Sequence, residues 1–211
     1  IYNIAVRAIC DAEHKSEWSV SAKFQTTCGI NPLPLFEDFS GLVAANKRAT
    51  LTCWSNMATN QPIEQVFSGA VSPYEPASSV YYTYMWIANY LSQFGDEHQL
   101  LFFGSTLLNG GPKYRWMITP QYAIEGNASV SFDVKHVDSK NLAAKPEGRF
   151  FVAISTDNGA TWKKDDATLI EGIDSVYSTK SVSLGKYAGK NIRVAFYMEN
   201  LGGETRTKGS G

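Results

Sequence analysis

The sequence predicts an all-β protein in which a jelly-roll β-sandwich over residues 35–211 follows a β-hairpin over residues 1–28. Short apolar runs alternate with polar residues, and Gly, Pro, Asn and Asp clusters separate these runs about every ten to fifteen residues. No stretch carries a convincing apolar stripe at helical spacing. Aromatic residues make up 13% of the chain and charged residues only 18%, a composition typical of secreted β-proteins.

The first 28 residues are predicted to form the hairpin. Residues 2–10 alternate between apolar and polar positions, a polar loop follows at 11–17, and residues 18–24 alternate again. A two-stranded hairpin is only marginally stable in water, so this one has to pack on missing sequence or on the rest of the chain. Residues 29–34 contain Pro32 and Pro34 and predict a stiff linker to the main domain.

Apolar alternation continues through the main domain. The predicted strands are 99–103, 114–118, 130–137, 150–155, 161–163, 181–184 and 192–198. Residues 80–91 fit either a strand or a short helix over the aromatic core. Many short strands separated by turn signals favour two stacked sheets, and the size suits a jelly roll.

Residues 155–162 read Ser-Thr-Asp-Asn-Gly-Ala-Thr-Trp, the most specific string in the chain. Asp157 and Asn158 can bond to nearby backbone amides and Gly159 tolerates positive φ, so the string predicts a tight turn between two strands. At every fixed position it resembles the Asp-box hairpin of sialidases and many other secreted β-proteins. The predicted structural turn residues are Ser155, Asp157, Gly159, Thr161 and Trp162.

The Asp box fits two roles. It marks a glycan-processing enzyme, or it stabilises the fold with its aspartate engaged in its own turn. We favour the second role because a turn motif carries no reacting group. A sialidase propeller would need several boxes in repeated units, and the chain shows one box and no internal repeat. The neighbouring pair Asp165 and Asp166 could serve glycoside hydrolysis, but beside Lys163 and Lys164 it fits a solvated charge cluster better.

Four further segments carry a second resemblance, to the cleaved-adhesin or choice-of-anchor J domains of Bacteroidetes surface proteins, which are similar to MAM domains. The segments are Leu-Pro-Leu-Phe-Glu-Asp-Phe-Ser-Gly (33–41), Cys-Trp (53–54), Met-Ile-Thr-Pro (117–120) and Ser-Leu-Gly-Lys-Tyr-Ala-Gly-Lys-Asn-Ile-Arg-Val-Ala-Phe (183–196). The first 28 residues resemble the last two strands of a fibronectin type III domain, which commonly precedes this domain in the family. These resemblances imply a jelly roll, display outside the cell, and an adhesive or carbohydrate-associated role rather than catalysis.

The three cysteines are Cys10, Cys28 and Cys53, and they lack the spacing of a zinc site. In the predicted hairpin, Cys10 lies near the loop and Cys28 at the far end. They are too far apart for a disulfide, which needs Cα atoms within about 7 Å. The family resemblance implies instead a disulfide between Cys28 and Cys53, with Cys10 free or paired to a residue outside this chain.

The family resemblance also implies calcium as a candidate cofactor. Glu37 and Asp38 offer oxygen ligands of a suitable type, but calcium takes six to eight oxygens and the sequence does not name the others. The family's usual acidic residue after the second aromatic of the opening segment is Ser40 here. A solvated turn is the interpretation that we favour at these positions, and a calcium site is the alternative.

The charge pattern and the missing motifs exclude several classes of function. Nineteen basic against twenty acidic residues favour neither nucleic acid nor an anionic membrane, and no apolar stretch is long enough to span a bilayer. His14, His98 and His136 share no local constellation, and hydrolase, metalloprotease and nucleotide-binding motifs are missing. Ile1 opens directly in a strand-like run, so we expect neighbouring domains in a longer precursor.

Core packing is the interpretation that we favour for the aromatic run Tyr81, Tyr82, Tyr84 and Trp86. The alternative is that the strand exposes some of these rings, which makes the run the candidate ligand-binding surface. Taken together, the sequence favours a non-catalytic extracellular, cell-surface or periplasmic module that binds a host protein or a glycan. The alternative is a glycan-active hydrolase or its carbohydrate-binding accessory domain, which the Asp box and the tyrosines suggest. A structural spacer is a third class.

Overall fold

The computed structural model describes residues 2–20, 22–24, 28–39, 51–59, 61–71, 87–88, 100–101, 114–135 and 148–199. These ranges hold mostly antiparallel strands with little helix, so the predicted all-β class is confirmed. None of the helices within them has the length and apolar character needed to cross a membrane. The strands are β1 (Tyr2–Ile4), β2 (Ala22–Phe24), β3 (Ser55–Thr59), β4 (Ile87–Ala88), β5 (Leu100–Leu101), β6 (Tyr114–Ile118), β7 (Tyr122–Ala123), β8 (Ser129–Val134), β9 (Phe150–Ser155), β10 (Ala167–Leu169), β11 (Ser178–Ser183) and β12 (Asn191–Glu199).

The central sheet has six antiparallel strands in the order β10-β9-β12-β6-β3, and β7 pairs with the start of β12. Strand β12 lies in the middle, where Tyr197 is opposite Phe151 of β9 on one side and Trp116 of β6 on the other. Successive residues of a strand point to opposite faces, so this register sends alternate residues of β12 into two separate cores.

The first core lies between the central sheet and a second sheet formed by β8 and β11, the β8–β11 ribbon. Phe132 of the ribbon meets Phe150 and Phe196 edge-on, at ring-centroid separations of 5.7 and 5.3 Å. Two sheets that interdigitate apolar side chains in this way give the protein a sandwich-like core. The buried members are Tyr122, Ile124, Phe150, Val152, Ile154, Ile170, Val182, Leu184, Tyr187, Ile192 and Val194.

The second core lies on the opposite face of the central sheet, under helix α1 (Ile63–Phe67) and Trp162. The ring of Trp116 packs 5.7 Å from Trp162 and 4.7 Å from Tyr197, centroid to centroid, and all three side chains are buried. The helix follows Pro62, whose φ of −64° suits a helix start, and Gly69 with φ of 74° follows its end. Its five residues are too few to show a helical period in the sequence.

Most predicted strands coincide with observed ones. Strands β6 and β9 have the predicted bounds, and β5, β8, β11 and β12 overlap their predictions. The predicted strand at 161–163 is wrong, because these residues pair with no strand and β10 begins at Ala167 after a 3₁₀ turn at Lys164–Asp166. The reason is local. The side chain of Asp157 holds the amide of Thr161, and Trp162 turns into the second core. Of residues 80–91, only β4 lies within the described ranges.

The hairpin predicted at the start of the chain is present. Strands β1 and β2 pair antiparallel with Tyr2 opposite Phe24, and Ile9 bridges to Lys15 near the tip. The guanidinium of Arg7 lies 4.7 Å from the ring centre of Trp18. Large apolar side chains of the hairpin remain in solvent: 59% of Trp18, 61% of Ile9, 64% of Val6 and 94% of Val20 are exposed.

The segment after the hairpin is attached to the central sheet at two points. Cys28 and Cys53 form the predicted disulfide, with Cα atoms 5.7 Å apart, and Cys10 is an exposed free cysteine. Asn31, inside the predicted linker, makes a parallel bridge to Tyr122: its amide donates to Gln121 O at 2.8 Å, and its carbonyl accepts from Ala123 N at 3.1 Å. The sequence did not predict this second attachment, and the domain boundaries stay predictions.

Replacing both Cys28 and Cys53 with Ser should lower the free energy of unfolding by about 3 kcal/mol, because the disulfide closes a loop of about 25 residues in the unfolded chain. Urea denaturation of both forms measures the difference. Cys10→Ser is the matched control and should leave the midpoint unchanged. A free thiol at Cys53 in non-reducing mass spectrometry would contradict the pairing.

Candidate functional site

The Asp box folds into a turn whose polar groups bond to one another. Asp157 Oδ1 accepts from Thr161 N at 2.9 Å and from Ser155 Oγ at 2.6 Å, and Asp157 Oδ2 accepts from Thr161 Oγ1 at 2.5 Å. Ser155 Oγ in turn accepts from the buried amide of Gly159 at 2.9 Å. Asn158 and Gly159 both adopt positive φ, at 60° and 87°, which Asn and Gly tolerate better than other residues.

Both oxygens of the Asp157 carboxylate are therefore engaged within the turn. Partial burial disfavours the charged form, but hydrogen bonds from Ser155 and Thr161 outweigh it and lower the pKa of Asp157 to about 2. A general acid needs a pKa near the working pH, so an ionised carboxylate of this kind is unsuited to protonating a leaving group. The turn then leads directly to Trp162 in the second core.

Asp166, the second acid near the box, is also committed to local contacts. Its Oδ1 accepts from Tyr187 Oη at 2.7 Å and lies 2.9 Å from Lys186 Nζ. Burial disfavours the charged form of Asp166, but these hydrogen bonds prevail and lower its pKa. The contacts join the 3₁₀ turn at Lys164–Asp166 to the one at Gly185–Tyr187 and make Asp166 a structural residue.

A partly buried ionic network lies at the end of β12, and sequence analysis missed it. Arg149 donates from Nε and Nη2 to the two carboxylate oxygens of Glu199, at 2.5 Å each, and from Nη1 to Glu64 at 2.7 Å. The Glu199 side chain has no exposed surface. Tyr197 Oη donates to Glu199 Oε1 at 3.0 Å and accepts from Ile63 N at 3.2 Å, which joins α1 to the central sheet.

The network holds two carboxylates but does not resemble the acid and base pair of a glycosidase. Such a pair needs one carboxyl group with a raised pKa. The hydrogen bond from Arg149 is the largest influence on Glu64 and lowers its pKa. Arg149 lies between the two carboxylates and bonds to both, so the arrangement suits anchoring of α1 rather than proton transfer.

The predicted calcium ligands lie on the segment that follows the disulfide-linked Cys28. Glu37 is half-buried, and its Oε1 accepts from the amide of Phe39 at 2.8 Å; Asp38 is exposed. Across the described ranges, no group of three or more His, Cys, Asp or Glu side chains is positioned to hold a metal ion. Calcium at Glu37 and Asp38 stays a prediction.

The predicted aromatic binding surface lies outside the described ranges. This surface comprises Tyr81, Tyr82, Tyr84 and Trp86, and two of the histidines, His98 and His136, also lie outside those ranges.

A different surface of the structure carries exposed polar side chains in a regular array. The outer face of the β8–β11 ribbon points away from the first core, and its paired residues are mostly Ser and Thr. Ser131 Oγ donates to Ser181 Oγ at 3.0 Å, and Thr179 Oγ1 donates to Asp133 Oδ1 at 2.6 Å. We call this surface the hydroxyl face, and it comprises Ser129, Ser131, Asp133, Lys135, Tyr177, Thr179, Ser181 and Ser183.

An aromatic side chain closes one end of the hydroxyl face. Tyr177 and Lys135 continue the alternation one position beyond the paired residues, and Lys135 Nζ lies 4.3 Å from the centre of the Tyr177 ring. Tyr177 keeps 45% of its surface exposed. The ammonium group over the ring favours a fixed ring position through a cation–π contact.

Comparison with known proteins gives no match to any family model, characterised protein or solved structure.

Asp157→Asn should destabilise the fold by about 1–2 kcal/mol at neutral pH, because the amide replaces a charged acceptor of several hydrogen bonds. A carboxyl group with a lowered pKa stabilises the fold above its ordinary pKa of 3.8, and this contribution disappears as pH falls toward about 2. Urea denaturation between about pH 7 and 2 should therefore show the two proteins converging in acid. Thr161→Val removes one hydrogen-bond donor to Asp157 and should lower the free energy of unfolding by less than Asp157→Asn does. A stability difference between the unchanged chain and Asp157→Asn that is as large at pH 2 as at pH 7 would contradict this account.

Arg149→Leu should lower the free energy of unfolding by about 3–5 kcal/mol, because it leaves the buried carboxylate of Glu199 without its counter-charge. Glu64→Gln breaks only the exposed side of the network and should cost less than about 1 kcal/mol. Replacing Arg149 and Glu199 together with Leu should recover most of the loss. Denaturant midpoints measure all three variants, and equal losses for Arg149→Leu and Glu64→Gln would refute a stabilising role for the pair of Arg149 and Glu199.

Proposed function

We propose that this protein is a non-catalytic module that binds a glycan or a host protein outside the cell. The observation that carries the proposal is the hydroxyl face, an exposed surface of a two-stranded sheet with ordered hydrogen-bonding groups and a partly exposed tyrosine at one end. Its inner side is held by the apolar contacts of the first core. A rigid support of this kind lowers the entropy lost when a surface binds a partner.

The state of the carboxylates supports binding rather than catalysis. Asp157, Asp166 and Glu64 all have lowered pKa values. Asp157 is bonded within its own turn, Asp166 is bonded by Lys186 and Tyr187, and Glu64 is bonded by Arg149. Hydrolysis of a glycosidic bond by a carboxyl pair needs one of them protonated near neutral pH. These three acids are therefore poor candidates for that reaction.

The architecture that we propose is a jelly roll of the cleaved-adhesin, MAM-like kind, preceded by the last hairpin of a fibronectin type III domain. Antiparallel sheets and the sandwich-like first core support the jelly roll. The exposed apolar side chains of Val6, Ile9, Trp18 and Val20 support the hairpin assignment. In the proposed precursor, neighbouring strands would pack on them.

We place the protein on the cell surface, in the periplasm or in the extracellular medium of a bacterium. The disulfide between Cys28 and Cys53 supports this location, because disulfides persist mainly in oxidising compartments. The four sequence segments that resemble the cleaved-adhesin family also support a location outside the cytoplasm.

The purified chain should bind at least one member of a mixed array of oligosaccharides and immobilised extracellular-matrix proteins, in a saturable manner and without turnover of fluorogenic glycosides. Asp157→Asn should bind as the unchanged chain does under conditions where it stays folded, because Asp157 stabilises a turn. Turnover that acid-to-amide changes abolish would establish the hydrolase alternative. Failure to bind any glycan or matrix protein would favour a structural spacer.

A further inference from the structure

We propose that the hydroxyl face binds a neutral glycan chain along the β8–β11 ribbon, with Tyr177 as the stacking residue. This inference rests on the proposed binding function and names its site and ligand class. This site differs from the aromatic run Tyr81, Tyr82, Tyr84 and Trp86, which was the candidate ligand-binding surface in the sequence.

The shape of the hydroxyl face suits an extended polymer. Its four residue pairs follow one another along two antiparallel strands, from Ser129 and Ser183 to Lys135 and Tyr177. Alternate residues are spaced about 7 Å apart along a strand, so the four pairs span about 20 Å. Small ligands prefer concave pockets, whereas a sheet surface of this length presents repeated contacts to a linear chain.

The chemistry of the hydroxyl face matches that of sugars. A Ser or Thr hydroxyl donates one hydrogen bond and has two acceptor lone pairs, which complements sugar hydroxyls with the same mixed character. The bonds within the pairs, Ser131 to Ser181 and Thr179 to Asp133, leave acceptor lone pairs on each side chain. An aromatic ring adds an apolar surface for the C–H face of a sugar ring.

The charge and the amino-acid composition of the hydroxyl face favour a neutral glycan over other partners. Asp133 and Lys135 are the charged members of the face, and their charges cancel. Nucleic acids and sulfated glycans require several basic groups, which this face lacks. The centres of protein–protein interfaces are depleted in Ser and enriched in large aromatic residues, Met and Arg, whereas here Ser predominates.

Tyr177 is positioned before any ligand arrives. The Lys135 ammonium 4.3 Å from the ring centre holds the tyrosine at the end of the face, and 45% of the tyrosine stays accessible. Less side-chain freedom is then lost on binding, which raises affinity.

Native gels containing soluble galactomannan, xyloglucan, mannan or dextran, with heparin as the anionic comparison, test the proposal by retardation. The unchanged chain should be retarded by at least one neutral polysaccharide. Tyr177→Ala, and Ser181→Arg, which places a bulky cation on the face, should weaken binding about tenfold or more. Tyr177→Phe keeps the ring and should retain most of the affinity.

The matched controls carry similar changes elsewhere. Trp18→Ala removes a comparably exposed aromatic from the hairpin, and Thr168→Arg adds the same bulky cation to β10; both should change affinity less than about twofold. Circular dichroism and thermal unfolding confirm that each variant folds. Neutral-glycan binding that survives Tyr177→Ala and Ser181→Arg would refute the site but leave the binding function intact. Retardation by heparin alone, or binding of matrix proteins alone, would refute the ligand class, and no binding in either assay would overturn both proposals.

Discussion

Strand β12 is buried on both faces, and the rest of the fold is arranged around that constraint. Val194 and Ile192 enter the first core, while Ala195 and Tyr197 enter the second. The backbone between them pairs with β9 on one side and β6 on the other, so its polar groups are satisfied within the sheet. A strand in this position needs a cover on each side. The β8–β11 ribbon provides one cover, and α1 with Trp162 provides the other.

The same constraint governs where polar side chains lie. At the end of β12, Glu199 is buried with the strand, and its charge is stabilised only because Arg149 and Tyr197 bond to it. The β8–β11 ribbon is buried on one face alone. Successive side chains of a strand point to opposite faces, so Phe132 lies in the first core and the neighbouring Ser131 lies in solvent. The packing that completes the sandwich therefore also creates the hydroxyl face.

The sequence predicted features that depend on neighbouring residues. Strands β6 and β9 and the Asp-box turn follow from local alternation and turn chemistry, and the family resemblance supplied the disulfide. The sequence did not predict features that depend on the register between distant segments. Arg149 and Glu199 are 50 residues apart, as are Ser131 and Ser181, and nothing local marks either pair. Helix α1 was not predicted because five residues are too few to show a helical period in the sequence. The strand expected at 161–163 does not form because the Asp-box turn extends to Thr161 and Trp162 is buried in the second core.

The Asp box owes its sequence specificity to this burial of Trp162. Asp157 binds the amide and hydroxyl of Thr161, Ser155 binds the amide of Gly159, and the chain that leaves the turn is directed toward Trp116. Four fixed positions of the motif are thus accounted for by bonds within the turn, and the fifth by core packing. A motif whose Ser, Asp and Thr side chains bond to one another within the turn reports the stability of that turn and not a reaction. Evidence for the partner therefore has to come from surfaces whose polar groups can still bond outward, and the hydroxyl face is such a surface.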